Sequence, residues 1–94
     1  MRFLLTGRFR EAYRSLPDPL RKKADKAIRL LAENPRHPSL HLKKIQGTPG
    51  VWEARVDRSY RMTIEIHADA YILRNIGKHD DTLGNPQVRS PTGS

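Results

Sequence analysis

The stretch that decides the fold is residues 51–81, VWEARVDRSYRMTIEIHADAYILRNIGKHDD. Its apolar residues recur at every second position, and they are Trp52, Ala54, Val56, Tyr60, Met62, Ile64 and Ile66. The positions between them are polar or charged. Alternation with a period of two is typical of a strand with one buried face. The pattern therefore predicts two strands, each with an apolar face and a polar face.

Short polar segments separate the apolar runs. Residues 57–59, DRS, and residues 67–69, HAD, have the composition of hairpin turns. Residues 70–77 follow the second turn and contain the consecutive apolar residues Tyr71, Ile72 and Leu73. A run without alternation is typical of a strand that is covered on both faces, so we interpret it as a central strand.

Two amphipathic helices are predicted upstream of these strands. The first carries an apolar stripe at helical spacing, formed by Phe9, Ala12, Tyr13 and Leu16. The second extends from a cap at Asp18 to about Glu33, and its apolar face consists of Leu20, Ala24, Ala27, Ile28 and Leu31. Because such a helical hairpin needs an apolar surface to cover, we expect an α+β fold. In it, the hairpin packs on a small twisted antiparallel sheet of three or four strands.

The remaining segments have the composition of an edge strand, a connecting loop and a C-terminal tail. We interpret residues 1–5 as a short edge strand and residues 36–50 as a connector that contains a short or irregular strand. That strand would place two basic residues close to the sheet, Lys43 and Lys44. We expect a single domain over residues 1–83 and a flexible C-terminal tail over residues 84–94.

Positive charge is concentrated in the N-terminal half of the chain. The net charge is +8, and residues 1–50 hold twelve Lys and Arg against four Asp and Glu, whereas residues 51–94 hold six of each. A small basic domain favours a polyanionic partner, such as nucleic acid, an acidic protein or the ribosome. The alternative is that the basic helical face is only a solvated surface.

Several classes of site are excluded, because the sequence lacks either the residues or the spacing that they need. There are no cysteines, so a disulfide framework and a thiolate metal site are impossible, and the composition fits a reducing cytoplasm. The four histidines lack the spacing of metal ligands, and no phosphate-binding Gly-rich loop or nucleophile-elbow serine is present. No apolar run approaches the roughly 20 residues that span a bilayer. We therefore expect a cytoplasmic protein with no metal, no small-molecule cofactor and no membrane partner.

One constellation of charged residues could carry chemistry. Glu53 and Arg55 share a strand face, and Arg61 falls near Arg55 across the predicted hairpin. His79 follows the third strand and could reach the same end of the sheet. Cleavage of RNA by its own 2′-hydroxyl needs a base, fixed positive charge for the phosphorane, and an acid for the leaving 5′-oxygen. The alternative is that Glu53 and Arg55 form an ordinary surface ion pair.

The order of these elements resembles the RelE/ParE superfamily of toxin–antitoxin toxins. The resemblance covers about residues 1–83 and is carried by residues 52–56 (WEARV), 60–62 (YRM) and 77–81 (GKHDD). It implies a helical hairpin packed on an antiparallel sheet, and a toxin that is neutralised by a cognate antitoxin. In the RelE-like branch, which we favour, the toxin cleaves mRNA in the ribosomal A site, so ribosome and mRNA are expected partners.

The resemblance also implies roles for single residues. Arg61, the arginine of the Tyr-Arg pair, would contact the scissile phosphate, and His79 would support acid catalysis. Glu53 would be a base, and Arg55 would complete the catalytic group and help to hold the RNA. The other residues expected to bind RNA are basic and lie on or beside the strands, and they are Lys43, Lys44, Arg74 and Lys78.

Two features leave other functions open. Many RelE-like toxins carry a catalytic tyrosine shortly after the basic residue, in the region where this sequence has Leu83. The ParE branch shares the fold and poisons DNA gyrase without this RNA chemistry. The alternatives are therefore a gyrase inhibitor of ParE type and a non-catalytic basic binding module. The imidazole of His79 favours the ribonuclease, because it can donate a proton near neutral pH.

Overall fold

A computed structural model describes residues 2–79, and the predicted tail at residues 84–94 lies outside this part of the chain. The described residues form two α-helices, a single-turn 3₁₀ helix at Pro38–Leu40, and five strands. In chain order, the main elements are β1 (Arg2–Leu5), α1 (Gly7–Arg14), α2 (Asp18–Glu33), β2 (Lys43–Lys44), β3 (Val51–Arg55), β4 (Tyr60–Ile66) and β5 (Ala70–Lys78).

The strands form one sheet in the order β1-β5-β4-β3-β2. β3, β4 and β5 pair antiparallel and confirm the three strands predicted from alternation. β5 is an interior strand, although β4 rather than β5 lies at the centre. β1 pairs parallel with β5, so the sheet is mixed rather than antiparallel. It has five strands rather than three or four, because the short strand β1 pairs with β5 at one edge and the short strand β2 pairs with β3 at the other.

The two helices pack on one face of this sheet, as predicted. Thr6 caps α1 by accepting a hydrogen bond from the N–H of Phe9 at 3.0 Å. α2 begins one residue earlier than predicted, because Pro17 occupies the cap position and the carboxylate of Asp18 pairs with Arg21 instead. The side chains that fill the core between helices and sheet include Phe9, Leu31, Leu40, Met62, Ile64 and Leu73. In residues 2–79, neither helix has the length and apolar character needed to cross a lipid bilayer.

The turn between β3 and β4 is organised by Asp57. Its Oδ1 accepts hydrogen bonds from the N–H groups of Ser59, at 2.8 Å, and Tyr60, at 2.9 Å. Burial by itself would raise the pKa of this carboxyl group. The two N–H donors and the ammonium of Lys23, 3.6 Å away, outweigh that effect and hold the pKa of Asp57 below its ordinary value.

Replacing Asp57 with asparagine is expected to destabilise the fold near neutral pH and to change its acid sensitivity. The carboxylate accepts charge-assisted hydrogen bonds, so its loss is expected to cost about 1–3 kcal/mol in the free energy of unfolding. Because the folded-state pKa is lowered, the stabilisation is present above the ordinary pKa of an aspartate and is lost as the pH falls through the lowered value.

Urea unfolding of the wild type and the Asp57→Asn variant at pH 7 and pH 3 checks this prediction. The stability difference between the two proteins should shrink at pH 3. Asp69→Asn is the matched control, because Asp69 lies in the other hairpin turn and its side chain is exposed. An equal difference at both pH values would show that the charge of Asp57 does not matter.

Candidate functional site

The site lies on the face of the sheet that the helices leave uncovered, which we call the open face. The strand register places Glu53 opposite Lys43 on one side and opposite Thr63 on the other. Arg55 lies directly opposite Arg61. Cross-strand partners share a face of a sheet, so these charged residues gather on the open face at the β3–β4 hairpin.

Glu53 is the centre of this cluster, and its burial was not expected. Only 2% of its surface is exposed, although it lies on the polar face of its strand. Its Oε1 lies 3.7 Å from Nζ of Lys43 and 4.0 Å from Nε of Arg61. Its Oε2 lies 3.4 Å from Nδ1 of His79. Three basic side chains from β2, β4 and the end of β5 therefore converge on one carboxylate.

The predicted alternative, an ordinary surface ion pair between Glu53 and Arg55, is wrong. The carboxylate is buried, and its ionic contacts in the described chain are with other basic residues. The guanidinium of Arg55 turns toward the hairpin, where Nε donates to the carbonyl oxygen of Asp57 at 3.3 Å. Its Nη1 lies 3.3 Å from Nε2 of His41. Arg55 therefore borders the cluster rather than neutralising it.

Arg61 is held by the backbone of the turn beside it. Its Nη1 donates to the carbonyl oxygens of Asp57, at 2.7 Å, Tyr60, at 3.1 Å, and Arg58, at 3.3 Å. Only 18% of its side chain is exposed. These contacts fix both the position and the orientation of the guanidinium, so Arg61 supplies a preorganised positive charge under the open face.

His79 reaches the cluster from the end of β5. Its backbone N–H donates to the carbonyl oxygen of Ser59 at 2.7 Å, which ties it to the β3–β4 turn. Its Nδ1 faces Glu53, while 41% of its side chain is exposed. The ring nitrogen that does not face Glu53 is therefore Nε2.

The structure separates the remaining predicted RNA-binding residues. Lys43 lies beside Glu53 on the open face, but Lys44 is paired with Trp52 and so lies on the opposite face. Lys78 is paired with Tyr60 and also lies on that opposite face. Arg74 pairs with Glu65 at 3.5 Å, toward the other end of β4. Adjacent strand residues point to opposite faces, so a pair of neighbouring basic residues cannot both enter one site.

Sequence reasoning missed two residues that shape the site. Asp57 organises the turn that positions Arg55 and Arg61, and an aspartate at the start of a turn is a recognisable signal for this role. His41 contacts Arg55 from the connector before β2, where it adopts a left-handed backbone conformation with φ of 44°. No signal in the sequence indicates that contact, because it depends on how the connector folds back on the sheet.

The arrangement suits the binding of an anion better than the binding of a cation. Lys43, Arg55, Arg61 and His79 place basic groups around a single carboxylate. Within residues 2–79 there is no group of three or more His, Asp or Glu side chains that could hold a metal ion. A phosphodiester would meet both fixed charge and an imidazole at this surface.

Comparison with known proteins identifies the fold through structure rather than sequence. No protein-family model and no curated protein matches the sequence. Among solved structures, the RelB–RelE antitoxin–toxin complex of Methanococcus jannaschii matches with a TM-score of 0.70 and 22% identity, covering 84% of this chain and 93% of that one.

Two further solved structures show the same likeness. YafQ of E. coli matches with a TM-score of 0.76 and 16% identity, covering 89% of this chain and all of that one. A YoeB/ParE toxin of Agrobacterium tumefaciens matches with a TM-score of 0.73 and 15% identity, covering 84% of this chain and 99% of that one. The chain therefore has the architecture that these toxins share.

Proposed function

Starting from the premise that this chain has the fold of RelE/ParE toxins, we propose that it is the toxin of a type II toxin–antitoxin system. Its activity would be the metal-independent cleavage of mRNA on the ribosome, which stops translation. The observation that carries the proposal is the convergence of Lys43, Arg61 and His79 on the open face around the buried Glu53. This cluster offers a binding surface for a phosphodiester and a group that can transfer a proton.

The proposed reaction is attack of a ribose 2′-oxygen on the adjacent phosphorus. The 2′-hydroxyl gives up its proton to solvent water as the new P–O bond forms and the bond to the 5′-oxygen breaks, which leaves a 2′,3′-cyclic phosphate and a 5′-hydroxyl. His79 protonates the departing 5′-oxygen through Nε2. Arg61 stabilises the charge that develops on the phosphorane, and it does so without reorganisation because the turn already fixes its guanidinium.

The remaining basic residues at the site hold the RNA. Lys43 is 68% exposed and lies at the edge of the open face, where it can contact a backbone phosphate. Arg55 lies directly opposite Arg61 on the neighbouring strand and can contact an adjacent phosphate. Glu53 is too deeply buried to take a proton from a 2′-hydroxyl, so the role of base suggested for it is not part of the proposal.

The function is tested by mapping 5′ ends on a defined mRNA in a translation reaction with purified ribosomes. The proposal expects cuts within the A-site codon that require both the protein and the ribosome. Stalling without cuts would contradict it. A protein of ParE type would instead trap cleaved DNA in a reaction with gyrase, so that assay on the same preparation distinguishes the main alternative.

A cognate antitoxin is proposed to dock at the β1 edge of the sheet. The outer edge of β1 lacks a strand neighbour within the described chain, and it carries two exposed leucines, Leu4 and Leu5. Leu5 borders an apolar groove of about 560 Å³ between the edge and the helices, with Arg10 and Arg14 on its rim. The opposite edge, β2, has only two residues, both lysine, and such an edge disfavours strand pairing. An acidic segment with apolar anchors fits the β1 edge best.

Replacing Leu5 with arginine is expected to weaken antitoxin binding by about 10- to 100-fold, the effect of losing one buried leucine contact. Binding of the candidate antitoxin, sought among the products of the neighbouring genes, would be measured by calorimetry. Leu4→Arg is the matched control, because Leu4 is equally exposed but lies on the other face, outside the groove. Unchanged affinity in the Leu5 variant would move the docking site elsewhere.

A further inference from the structure

We propose that Glu53 is the positioning residue of a Glu–His pair. Its carboxylate accepts the Nδ1–H of His79, which fixes the tautomer of the imidazole and directs Nε2 to the open face. The catalytic meaning of this pair rests on the proposed function, but the location of the proton does not. Glu53 therefore acts on RNA through His79 and never contacts the reacting atoms.

The first support is the unequal environment of the two carboxylate oxygens. Oε1 of Glu53 faces the permanent charges of Lys43 and Arg61, at 3.7 and 4.0 Å. Oε2 faces only the Nδ1 of His79 among the ionic contacts of the described chain, at 3.4 Å. A buried carboxylate oxygen requires a hydrogen-bond donor, and the nearest basic group that can provide one is this ring nitrogen.

The second support is the way the ring is attached. The N–H of His79 donates to the carbonyl oxygen of Ser59, so the position of its Cα is set by the β3–β4 turn. The freedom that remains is rotation of the side chain, and the contact with Glu53 restricts it. At 3.4 Å the two atoms are in contact but do not form a hydrogen bond in this structure. Catalytic hydrogen bonds are often long or poorly aligned without substrate and tighten when substrate binds.

The third support is that the two ring nitrogens have different roles, since Nδ1 contacts the carboxylate and Nε2 transfers the proton. Neutral imidazole carries one proton, and a carboxylate at Nδ1 selects the tautomer that leaves the Nε2 lone pair available. When the ring gains a second proton, that proton resides on Nε2 and can pass to the leaving 5′-oxygen. In the opposite tautomer the lone pair of Nδ1 would face the carboxylate of Glu53, which is an unfavourable contact between two acceptors.

The tautomer can be read directly by long-range ¹⁵N–¹H NMR of the intact protein at pH 8, with the His79→Ala spectrum used to assign the signal. The Nδ1–H form of His79 should predominate in the wild type. In the Glu53→Leu variant, which has no acceptor, the population should shift toward the Nε2–H form. The Glu53→Gln variant keeps a carbonyl oxygen at the same place, so it should retain part of the wild-type signature.

Glu65→Leu is the matched control for this measurement. Glu65 contacts the ring of His67 at 3.1 Å, so the same face carries a second Glu–His contact, but a more exposed one. Its removal should alter the signal of His67 and leave that of His79 unchanged. If Glu53→Leu fails to fold, the wild-type and Glu53→Gln spectra still decide the question.

Activity provides a second readout once ribosome-dependent cleavage is established. Glu53→Leu should lower kcat by about 10²- to 10⁴-fold with little change in KM, the signature of a misoriented histidine. Glu53→Gln should recover part of the loss. A wild-type His79 that is mainly Nε2–H would overturn the pairing whether or not the protein cleaves RNA. An Nδ1–H tautomer in a protein without ribonuclease activity would uphold the pairing and refute the proposed function.

Discussion

Replacement of His79 by alanine is expected to lower the rate of ribosome-dependent mRNA cleavage by about 10²- to 10⁴-fold, the range for loss of a positioned proton-transfer group. The reason is that the leaving 5′-oxygen would depart as an alkoxide unless a proton reaches it. Among the residues clustered around Glu53, His79 carries the imidazole, the side chain most often used as a general acid. The single-turnover rate on programmed ribosomes is the quantity to measure, since it excludes product release.

His67→Ala is the control for this prediction. His67 lies at the other end of β4, is exposed, and contacts Glu65 rather than Glu53. Its loss should leave cleavage near the wild-type rate. If His79→Ala cleaves as fast as the wild type while the same cuts appear, the proton must come from elsewhere, and the assigned chemistry of the open face is wrong.

Replacement of Arg61 by alanine is expected to lower cleavage by about 10²- to 10³-fold, as for loss of one fixed donor that stabilises transition-state charge. Arg61 is suited to this role because three carbonyl oxygens of the turn hold its guanidinium in place. Arg61→Lys should restore only a small part of the rate. A lysine has one point charge and cannot satisfy the same set of acceptors while facing a phosphate.

Loss of Arg61 also removes contacts that hold the turn, so stability must be measured beside activity. We expect a destabilisation of about 1–3 kcal/mol, because the variant leaves the turn carbonyls without this donor and removes a cation 4.0 Å from Glu53. Arg2→Ala is the matched control, since Arg2 is an exposed arginine at the far edge of the sheet, paired with Asp69. An Arg61→Ala protein that is folded and fully active would exclude the guanidinium from the reaction.

Alternation along the chain was sufficient to predict the two-faced sheet and to place Glu53, Arg55 and Arg61 on its polar side. It also predicted the hairpin register, since Arg55 and Arg61 lie directly opposite each other. These features depend on local spacing and on a short turn, so they are encoded within a few residues of one another.

The features that alternation could not predict depend on distant parts of the chain. Glu53 is buried and contacts Lys43 and His79, and both contacts depend on the pairing of β2 and on the end of β5. The parallel pairing of β1 with β5 depends on the path through both helices. Lys43 and Lys44 lie on opposite faces of the sheet because this part of the connector is an extended strand, and the sequence does not predict that conformation clearly.

The distribution of charge suggests that binding and chemistry occupy different surfaces. The excess positive charge lies in residues 1–50, most of which form the helical layer and the connector, whereas the proposed reacting groups lie mainly on the later strands. In the proposed function, the basic helical layer would promote docking on ribosomal RNA with strong salt dependence. The open face would contact the mRNA.

The most direct test of the central claim is cleavage of an mRNA that carries a single 2′-deoxynucleotide at the position where the all-ribose mRNA is cut. With wild-type protein and programmed ribosomes, we predict that the all-ribose mRNA is cut and ends in a 2′,3′-cyclic phosphate, while the substituted mRNA stays intact. Cleavage of the substituted mRNA at the same bond and rate, or no cleavage of either mRNA, would contradict the account.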